Sequence, residues 1–222
     1  MSDSTADRLM QFFRAMLDRY GPQAWWPGET EFEMIVGAVL TQNTNWGNVE
    51  KAIARLKAAG AMSADAIAAM PHDRLGELIR PAGYFNIKAR RLKNLIDWMV
   101  RDYGGDVQRM NRVPMAAMRE QLLAVNGVGP ETADSILLYA LNQPSFVVDA
   151  YTARIVVRHG LLCPPIEYEE LQGLFEGHLP ADVAMFNEYH ALLVRVGKDH
   201  CKPKARCEGC PLERFPHDVE AS

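Results

Sequence analysis

Apolar residues recur along the chain at intervals of three and four positions, the period of a helix with one buried face. The first such stretch carries Leu9, Phe12, Phe13, Met16 and Leu17. The same spacing predicts further helices around Phe32, Ile35 and Val39, around Val49, Ile53 and Leu56, around Leu75, Leu78 and Ile79, and around Leu92, Leu95 and Met99. Others are expected after Pro114 and at about 131–141, 150–160, 167–178 and 182–199. Because no stretch alternates long enough to form a sheet, we predict an all-α fold of roughly ten helices.

Composition and charge narrow the class of protein. Hydrophobic residues make up 48% of the 222 residues, which is enough to bury a core. The formal net charge of −4 argues against indiscriminate nucleic-acid binding but leaves room for a local phosphate contact. The N-terminus lacks the pattern of a signal peptide, and the longest apolar run, Met34–Leu40, is too short to cross a membrane. We therefore expect a soluble, cytoplasmic protein.

A glycine-containing turn, NGVG, separates two of the predicted helices. Gly127 and Gly129 flank Val128, and glycine allows both a sharp turn and a close approach of the backbone to another molecule. Backbone N–H groups at the start of the next helix can bind an anion, such as a DNA phosphate, without a basic side chain. The alternative is an ordinary helix–helix turn.

Asp149 follows the apolar run Phe146–Val148 and precedes the helix predicted at 150–160. A carboxylate at this position can cap the helix by accepting hydrogen bonds from its first N–H groups. It can also face a pocket, where it would stabilise positive charge or activate water. Both interpretations remain open from the position alone.

Three cysteines, Cys201, Cys207 and Cys210, lie within ten residues near the end of the chain. In an intracellular protein such a cluster indicates a metal site more than a disulfide framework. The segment from Lys198 onward is rich in Lys, Arg, Pro and Gly, and it lacks the apolar residues that would build a core. It therefore needs another source of stability, such as a bound metal.

The segments VNGVGPETAD, VVDAYTAR and CEGCPL, in this order and spacing, resemble the helix-hairpin-helix (HhH-GPD) superfamily of DNA glycosylases, and within it the endonuclease III group. The likeness covers residues 28–212. It implies two helical lobes, one of residues 30–140 and one of residues 1–29 with 141–222, the latter carrying a cysteine loop at 198–212. It also implies a nucleoid-associated monomer that binds double-stranded DNA containing a damaged base, in a cleft into which the base is flipped.

The resemblance also assigns roles to single residues. Asp149 would be the catalytic aspartate, and the residues that bind DNA would be Gln42, Tyr84, Gly127, Val128, Gly129 and Thr132. Among them, Gln42 would fill the gap left by the flipped nucleotide and Tyr84 would press against the opposite strand. Glu131 stands where bifunctional members carry the lysine that forms a Schiff base. Since a glutamate has no amine, the implied enzyme is monofunctional: water displaces the base and an abasic site remains.

Trp25, Trp26 and Trp46 bear on which base is removed. Adjacent tryptophans point apart, so one of Trp25 and Trp26 is expected to be partly exposed and able to stack on a flipped base. Packing in the core is the alternative for each of them. The stretches AWWP, LTQNTNW and GVGPETADSIL together resemble the 3-methyladenine glycosylase branch, which implies an aromatic pocket for a cationic alkylated purine. An adenine-mispair glycosylase and a non-catalytic damage-binding protein remain as alternatives.

For the cysteine cluster, the resemblance implies a [4Fe–4S] cluster bound by the pattern C-x6-C-x2-C-x5-C. Here the pattern is C-x5-C-x2-C, and Pro216 stands where the last cysteine would fall. The candidates for a fourth ligand are His200, His217 and Cys163. Zinc held by three cysteines and a histidine is a second possibility, and a loop without metal is a third.

Overall fold

The computed structural model describes residues 4–26 and 28–221. Within these ranges the regular secondary structure is helical throughout and contains no strand, which confirms the predicted all-α class. The chain divides into two compact units, Trp26–Gln143 on the one hand and Met1–Trp25 with Pro144–Ser222 on the other. The boundaries predicted at residues 30 and 140 lie within four residues of this division. No helix in the described ranges is long and apolar enough to span a membrane.

Twelve α-helices are found in the described part of the chain. In order they are α1 (Thr5–Tyr20), α2 (Glu31–Leu40), α3 (Trp46–Ala58), α4 (Ala64–Ala69), α5 (His72–Leu78), α6 (Phe85–Tyr103), α7 (Val107–Met110), α8 (Met115–Ala124), α9 (Pro130–Ser135), α10 (Ala150–Arg158), α11 (Tyr168–Glu176) and α12 (Val183–Asp199). A 3-10 turn at Arg80–Ala82 precedes α6, and a π-helical segment, Ile136–Ala140, continues α9.

Helix α6 is the central element of the unit formed by residues 26–143. It packs against α2, α4 and α5. Its apolar face, predicted from the spacing of Leu92, Leu95 and Met99, is fully buried. Gly104 ends the helix in a left-handed conformation, which glycine adopts without steric cost. This helix also carries several of the polar side chains that support the candidate site.

The other unit is built around α12, which packs against α1 and α10. The buried face of α12 includes Tyr189, whose hydroxyl donates a hydrogen bond of 2.8 Å to the backbone oxygen of Leu9 in α1. The contact with α10 is close, because the ring of Tyr151 lies directly on the backbone of Gly197. Helix α10, which begins next to Asp149, is thereby fixed against α12.

One helix was not predicted by the hydrophobic pattern. Helix α7 has only four residues, which is too short to show a helical period. The π-helical segment lies within the helix predicted at 131–141, and it is buried at every position.

Candidate functional site

The NGVG turn joins α8 to α9 and is packed tightly onto α6. Gly127 has a φ of +100°, and a Cβ atom added to it would lie 2.4 Å from Cγ of Arg91. Val128 is buried in the core of its unit and anchors the turn. Gly129 precedes α9, whose first residue is Pro130, and Glu131 is exposed in the first turn. The turn is thus a rigid backbone structure with an exposed acidic residue beside it.

Gln42 lies against this turn and is held from two sides. Its Nε2 donates a hydrogen bond of 2.8 Å to Oγ1 of Thr132, and the guanidinium of Arg91 donates to its Oε1. The structure therefore brings together Gln42, Thr132 and Gly127, three of the residues that the sequence predicted to bind DNA. Arg91 was missed, because it lies in a stretch of charged and polar residues that looks like an ordinary solvated helix surface.

Tyr84 occupies the turn before α6. Its side chain is 68% exposed, and its backbone is left-handed with φ 45° and ψ 34°, an uncommon conformation for a bulky residue. Lys88, four residues later in α6, is only 2% exposed. The Nζ of Lys88 donates hydrogen bonds of 2.8 Å to the backbone oxygen of Leu40 and of 2.7 Å to that of Ala82. Burial, and to a lesser extent the charge of Arg91, lower the pKa of Lys88 to about 8.

Two of the three predicted pocket tryptophans form an aromatic cluster. The ring of Trp26 meets that of Trp46 edge-on at 4.9 Å and lies 4.8 Å from that of Tyr139. It also covers Gly37, where an added Cβ would lie 3.3 Å from the indole. Tyr139 was missed as a site residue, because its contact with Trp26 joins segments that are distant in sequence. Trp25 belongs to the other unit, where its ring lies 5.7 Å from Nζ of Lys198.

Asp149 caps α10, as the first of its two interpretations predicted. Its Oδ1 accepts hydrogen bonds of 2.8 Å from the backbone N–H and 3.0 Å from the hydroxyl of Thr152. Its Oδ2 lies 3.7 Å from Nε2 of His190, a buried residue of α12. Burial alone would raise the pKa of Asp149, but the neighbouring imidazole of His190, together with the bonds from Thr152, lowers it below its usual value. The carboxylate is therefore ionised at neutral pH.

The three clustered cysteines line one pocket in the C-terminal loop. Other residues that line it include His200, Glu213 and His217, whereas Cys163 is exposed and is not part of the lining. Burial raises the pKa of the Cys210 thiol to about 11, and the nearby sulfurs of Cys207 and Cys201 contribute to this shift. No group of three or more His, Cys, Asp or Glu side chains in the described ranges is arranged to hold a metal ion.

Two arginines of α10 hold the cysteine loop by its backbone. Arg154 donates to the backbone oxygen of Cys201 at 2.7 Å. The buried Arg158 donates to the backbone oxygens of Lys202 at 2.7 Å and Pro203 at 2.9 Å, and to Sγ of Cys201 at 3.4 Å. The loop is therefore attached to the same helix that Asp149 caps.

Residues 36–180 match the family model described as the HhH-GPD superfamily base excision DNA repair protein. The chain belongs to this superfamily. Membership confirms the resemblance found in the sequence, and it identifies the chain as a base excision repair DNA glycosylase, which acts on N-glycosidic bonds.

Among curated HhH-GPD relatives, a candidate DNA repair glycosylase of Methanocaldococcus jannaschii is 46% identical over 217 residues, which covers 97% of this chain and 98% of the relative. Endonuclease III of Thermotoga maritima is 31% identical over 183 residues, covering 82% and 80% of the two chains. The solved structures include H. pylori 3-methyladenine DNA glycosylase bound to 1,N6-ethenoadenine, with a TM-score of 0.75, 29% identity and coverage of 88% of this chain and 98% of that one. An endonuclease III–DNA complex has a TM-score of 0.82 at 22% identity, with 98% of each chain covered, and shows the shared fold.

Proposed function

We propose that this HhH-GPD protein is a monofunctional glycosylase that removes a flipped N-alkylated purine of the 3-methyladenine type from double-stranded DNA. The observation that carries the proposal is the cluster of Trp26, Trp46 and Tyr139, in the same unit as the hairpin. A cationic base gains roughly 0.5–2 kcal/mol by stacking on such a ring, depending on how far it is desolvated. The similarity to a 3-methyladenine glycosylase structure supports the same substrate class.

Asp149 is proposed as the catalytic carboxylate. As the bond between C1′ and the base nitrogen breaks, its electron pair leaves with the base, and an alkylated cationic base departs as a neutral molecule without a general acid. The sugar becomes positively charged, and an ionised carboxylate stabilises that charge. Water then adds to C1′ and its proton passes to Asp149 or to solvent, so that free base and an abasic site are the products. The two hydrogen bonds from Thr152 would hold the carboxylate in place during this reaction.

The absence of strand cleavage follows from the amines available near the hairpin. Position 131 is a glutamate, which cannot form a Schiff base. Lys88 and Lys93, the lysines of α6, are both hydrogen-bonded through Nζ to backbone carbonyls. Lys88 is also buried, so neither side chain offers an unengaged, exposed amine for attack on a sugar.

For the cysteine loop, we propose a [4Fe–4S] cluster held by Cys201, Cys207 and Cys210. Three thiols on one pocket, with an arginine N–H directed at one sulfur, suit an anionic cluster. The fourth ligand would be His200 or His217. Each of them donates from Nδ1 to a backbone oxygen, that of Arg206 or Phe215, which leaves Nε2 as the ligating nitrogen. The cluster would fix the loop and take no part in base removal.

Base release separates the possible functions. The protein is incubated with duplex DNA containing 3-methyladenine, and free base and strand breaks are measured separately. We expect free 3-methyladenine without strand breaks, and its loss in Asp149→Asn. Tight binding without release would instead indicate a damage-binding protein, and release of adenine from a mispair would indicate the adenine-mispair branch. Strand cleavage without added alkali would contradict the monofunctional proposal.

Metal analysis tests the loop in the same preparation. Iron near four atoms per chain with visible absorption is expected for a [4Fe–4S] cluster. Zinc alone, or no metal in protein purified under anaerobic conditions, would overturn the cluster proposal without affecting the proposed activity.

A further inference from the structure

Two lysines of α6 perform the same structural task at different places. The Nζ of Lys93 donates to the backbone oxygens of Ala68 at 2.7 Å and Met70 at 3.1 Å, where α4 ends. Lys88, five residues earlier, donates to the backbone oxygens of Leu40 at 2.8 Å and Ala82 at 2.7 Å. Each ammonium thus satisfies carbonyl groups left open at the end of a helical element, where the helix dipole favours a positive charge.

The two carbonyls bound by Lys88, unlike those bound by Lys93, each stand two residues before a residue proposed to bind DNA. Leu40 is the last residue of α2, and Gln42 follows two positions later. Ala82 ends the 3-10 turn, and the exposed Tyr84 follows two positions later. A single buried ammonium therefore connects the starts of the two backbone segments that carry Gln42 and Tyr84, the residues proposed to enter the DNA.

We propose that Lys88 is a positioning residue that links the Gln42 and Tyr84 segments into one rigid wedge, so that both segments engage the duplex together when a base is flipped. The proposal rests on the proposed glycosylase function, since it concerns how that function acquires its geometry. Lys88 itself contacts no DNA, because it is buried beneath both segments.

The choice of a lysine at a buried position supports this role. Burying an ammonium is costly, and the lowered pKa of Lys88, about 8, reflects that cost. A methionine of similar length would fill the same volume without the cost, but it would leave two buried carbonyl oxygens without their donor. The side chain of Gln42 is held separately by Arg91 and Thr132, so Lys88 fixes the backbone and they fix the side chain.

The test compares Lys88→Met with Lys93→Met, a control on the same helix that loses three bonds to backbone carbonyls where Lys88→Met loses two. Release of 3-methyladenine is measured from a duplex and from the single strand of the same sequence, because only the duplex needs a wedge to fill the gap. For Lys88→Met we expect the ratio of duplex to single-strand rate to fall by at least about tenfold. For Lys93→Met the ratio should stay within about twofold of the wild type. Equal ratios in the two variants would overturn the proposal, whatever their stabilities.

A second readout and a second variant keep the test independent of activity and of folding. Failure of the wild type to release any base would refute the proposed function and not this inference. In that case, the ratio of affinities for duplexes with and without a tetrahydrofuran abasic analogue is measured, and it should fall about tenfold only in Lys88→Met. If Lys88→Met does not fold, Lys88→Gln, which keeps an amide donor, is used in its place. We expect either ratio to fall less in this variant than in Lys88→Met. An unchanged ratio in that variant would overturn the proposal.

Discussion

Alanine at Gly127 tests how closely the hairpin turn is packed onto α6. The φ of +100° at this residue is one that side chains with a Cβ rarely adopt. The added Cβ would lie 2.4 Å from Cγ, 3.0 Å from Cβ and 3.2 Å from Cδ of Arg91. These atoms belong to the stem of the arginine and not to its flexible end, so the overlap is relieved only by moving α6 or the turn.

The expected loss of stability is the sum of a backbone cost and a packing cost. A residue forced into a sparsely populated backbone region loses about 1–3 kcal/mol. An overlap in a packed site costs about 1–3 kcal/mol more. We therefore expect Gly127→Ala to lower the free energy of unfolding by about 2–6 kcal/mol, and to lower the Tm by roughly 10 °C in a protein of this size.

The matched control is Gly129→Ala, two residues away in the same turn. Gly129 has an ordinary φ of −99°, and an added Cβ would meet nothing within 4 Å. Its stability should change by less than about 0.5 kcal/mol. Its affinity for DNA should nevertheless fall if the turn approaches a phosphate as proposed, because the new methyl group would stand in the way.

Urea unfolding followed by circular dichroism measures these effects, and a double-mutant cycle with Arg91→Ala separates the two terms. In the Arg91→Ala background, Cγ and Cδ are gone, so Gly127→Ala should cost about 1–3 kcal/mol less than in the wild type. Two results would refute the reasoning. One is a Gly127→Ala variant as stable as Gly129→Ala, and the other is a cost that does not change when Arg91 is truncated.

Three further changes test other parts of the structure. Gly197→Ala should destabilise the α10–α12 contact by about 1–3 kcal/mol in urea unfolding, because its Cβ would lie 2.3 Å from Cδ1 and 2.6 Å from Cβ of Tyr151; an unchanged cost in a Tyr151→Gly background, which removes both atoms, would argue against this. Gly173→Ala in α11, where an added Cβ meets nothing within 4 Å, should instead stabilise by about 0.5–1 kcal/mol, and a loss of stability would show a constraint there. The pKa of Lys88 is lowered in the folded state, so the unfolded chain binds more protons between pH 8 and 10.5. Wild type should therefore gain stability over Lys88→Met as the pH rises through this window, by up to about 3 kcal/mol; a constant difference would show that its charge is not penalised by burial.

The fold was largely predictable because its helices bury one face each. The apolar spacing in α1, α6 and α12 follows the helical period, and the structure buries most of those positions, whereas Phe13 and Leu17 of α1 are partly buried. The helix predicted at 131–141 was found as well, although its second half, Ile136–Ala140, is π-helical and buried at every position. What the pattern could not indicate is the contact of Tyr139 with Trp26, because it joins segments that are distant in sequence.

The candidate site was predictable where a short motif carries it. Asp149 and the NGVG turn stand in segments of fixed order, and local backbone rules give each a definite conformation. Arg91 and His190 could not be found in this way, because their roles depend on contacts across 49 and 41 residues of sequence, with Gln42 and Asp149 respectively. Lys88 gave a signal that could have been used: it lies three residues after Phe85 and four before Leu92, in line with the apolar face of α6.

Three polar residues of helix α6 support the candidate site. Lys88, Arg91 and Asn94 follow each other at intervals of three, which places them along one side of the helix. Lys88 donates hydrogen bonds to the backbone just before the Gln42 and Tyr84 segments. Arg91 donates to Gln42 and packs on Gly127. Asn94 donates a hydrogen bond of 2.9 Å to the backbone oxygen of Asn126 in the hairpin turn. One side of α6 thus holds three segments that are distant in sequence. Because they share this support, substitutions along it should be non-additive in their effects on DNA binding, although none of the three residues needs to contact DNA.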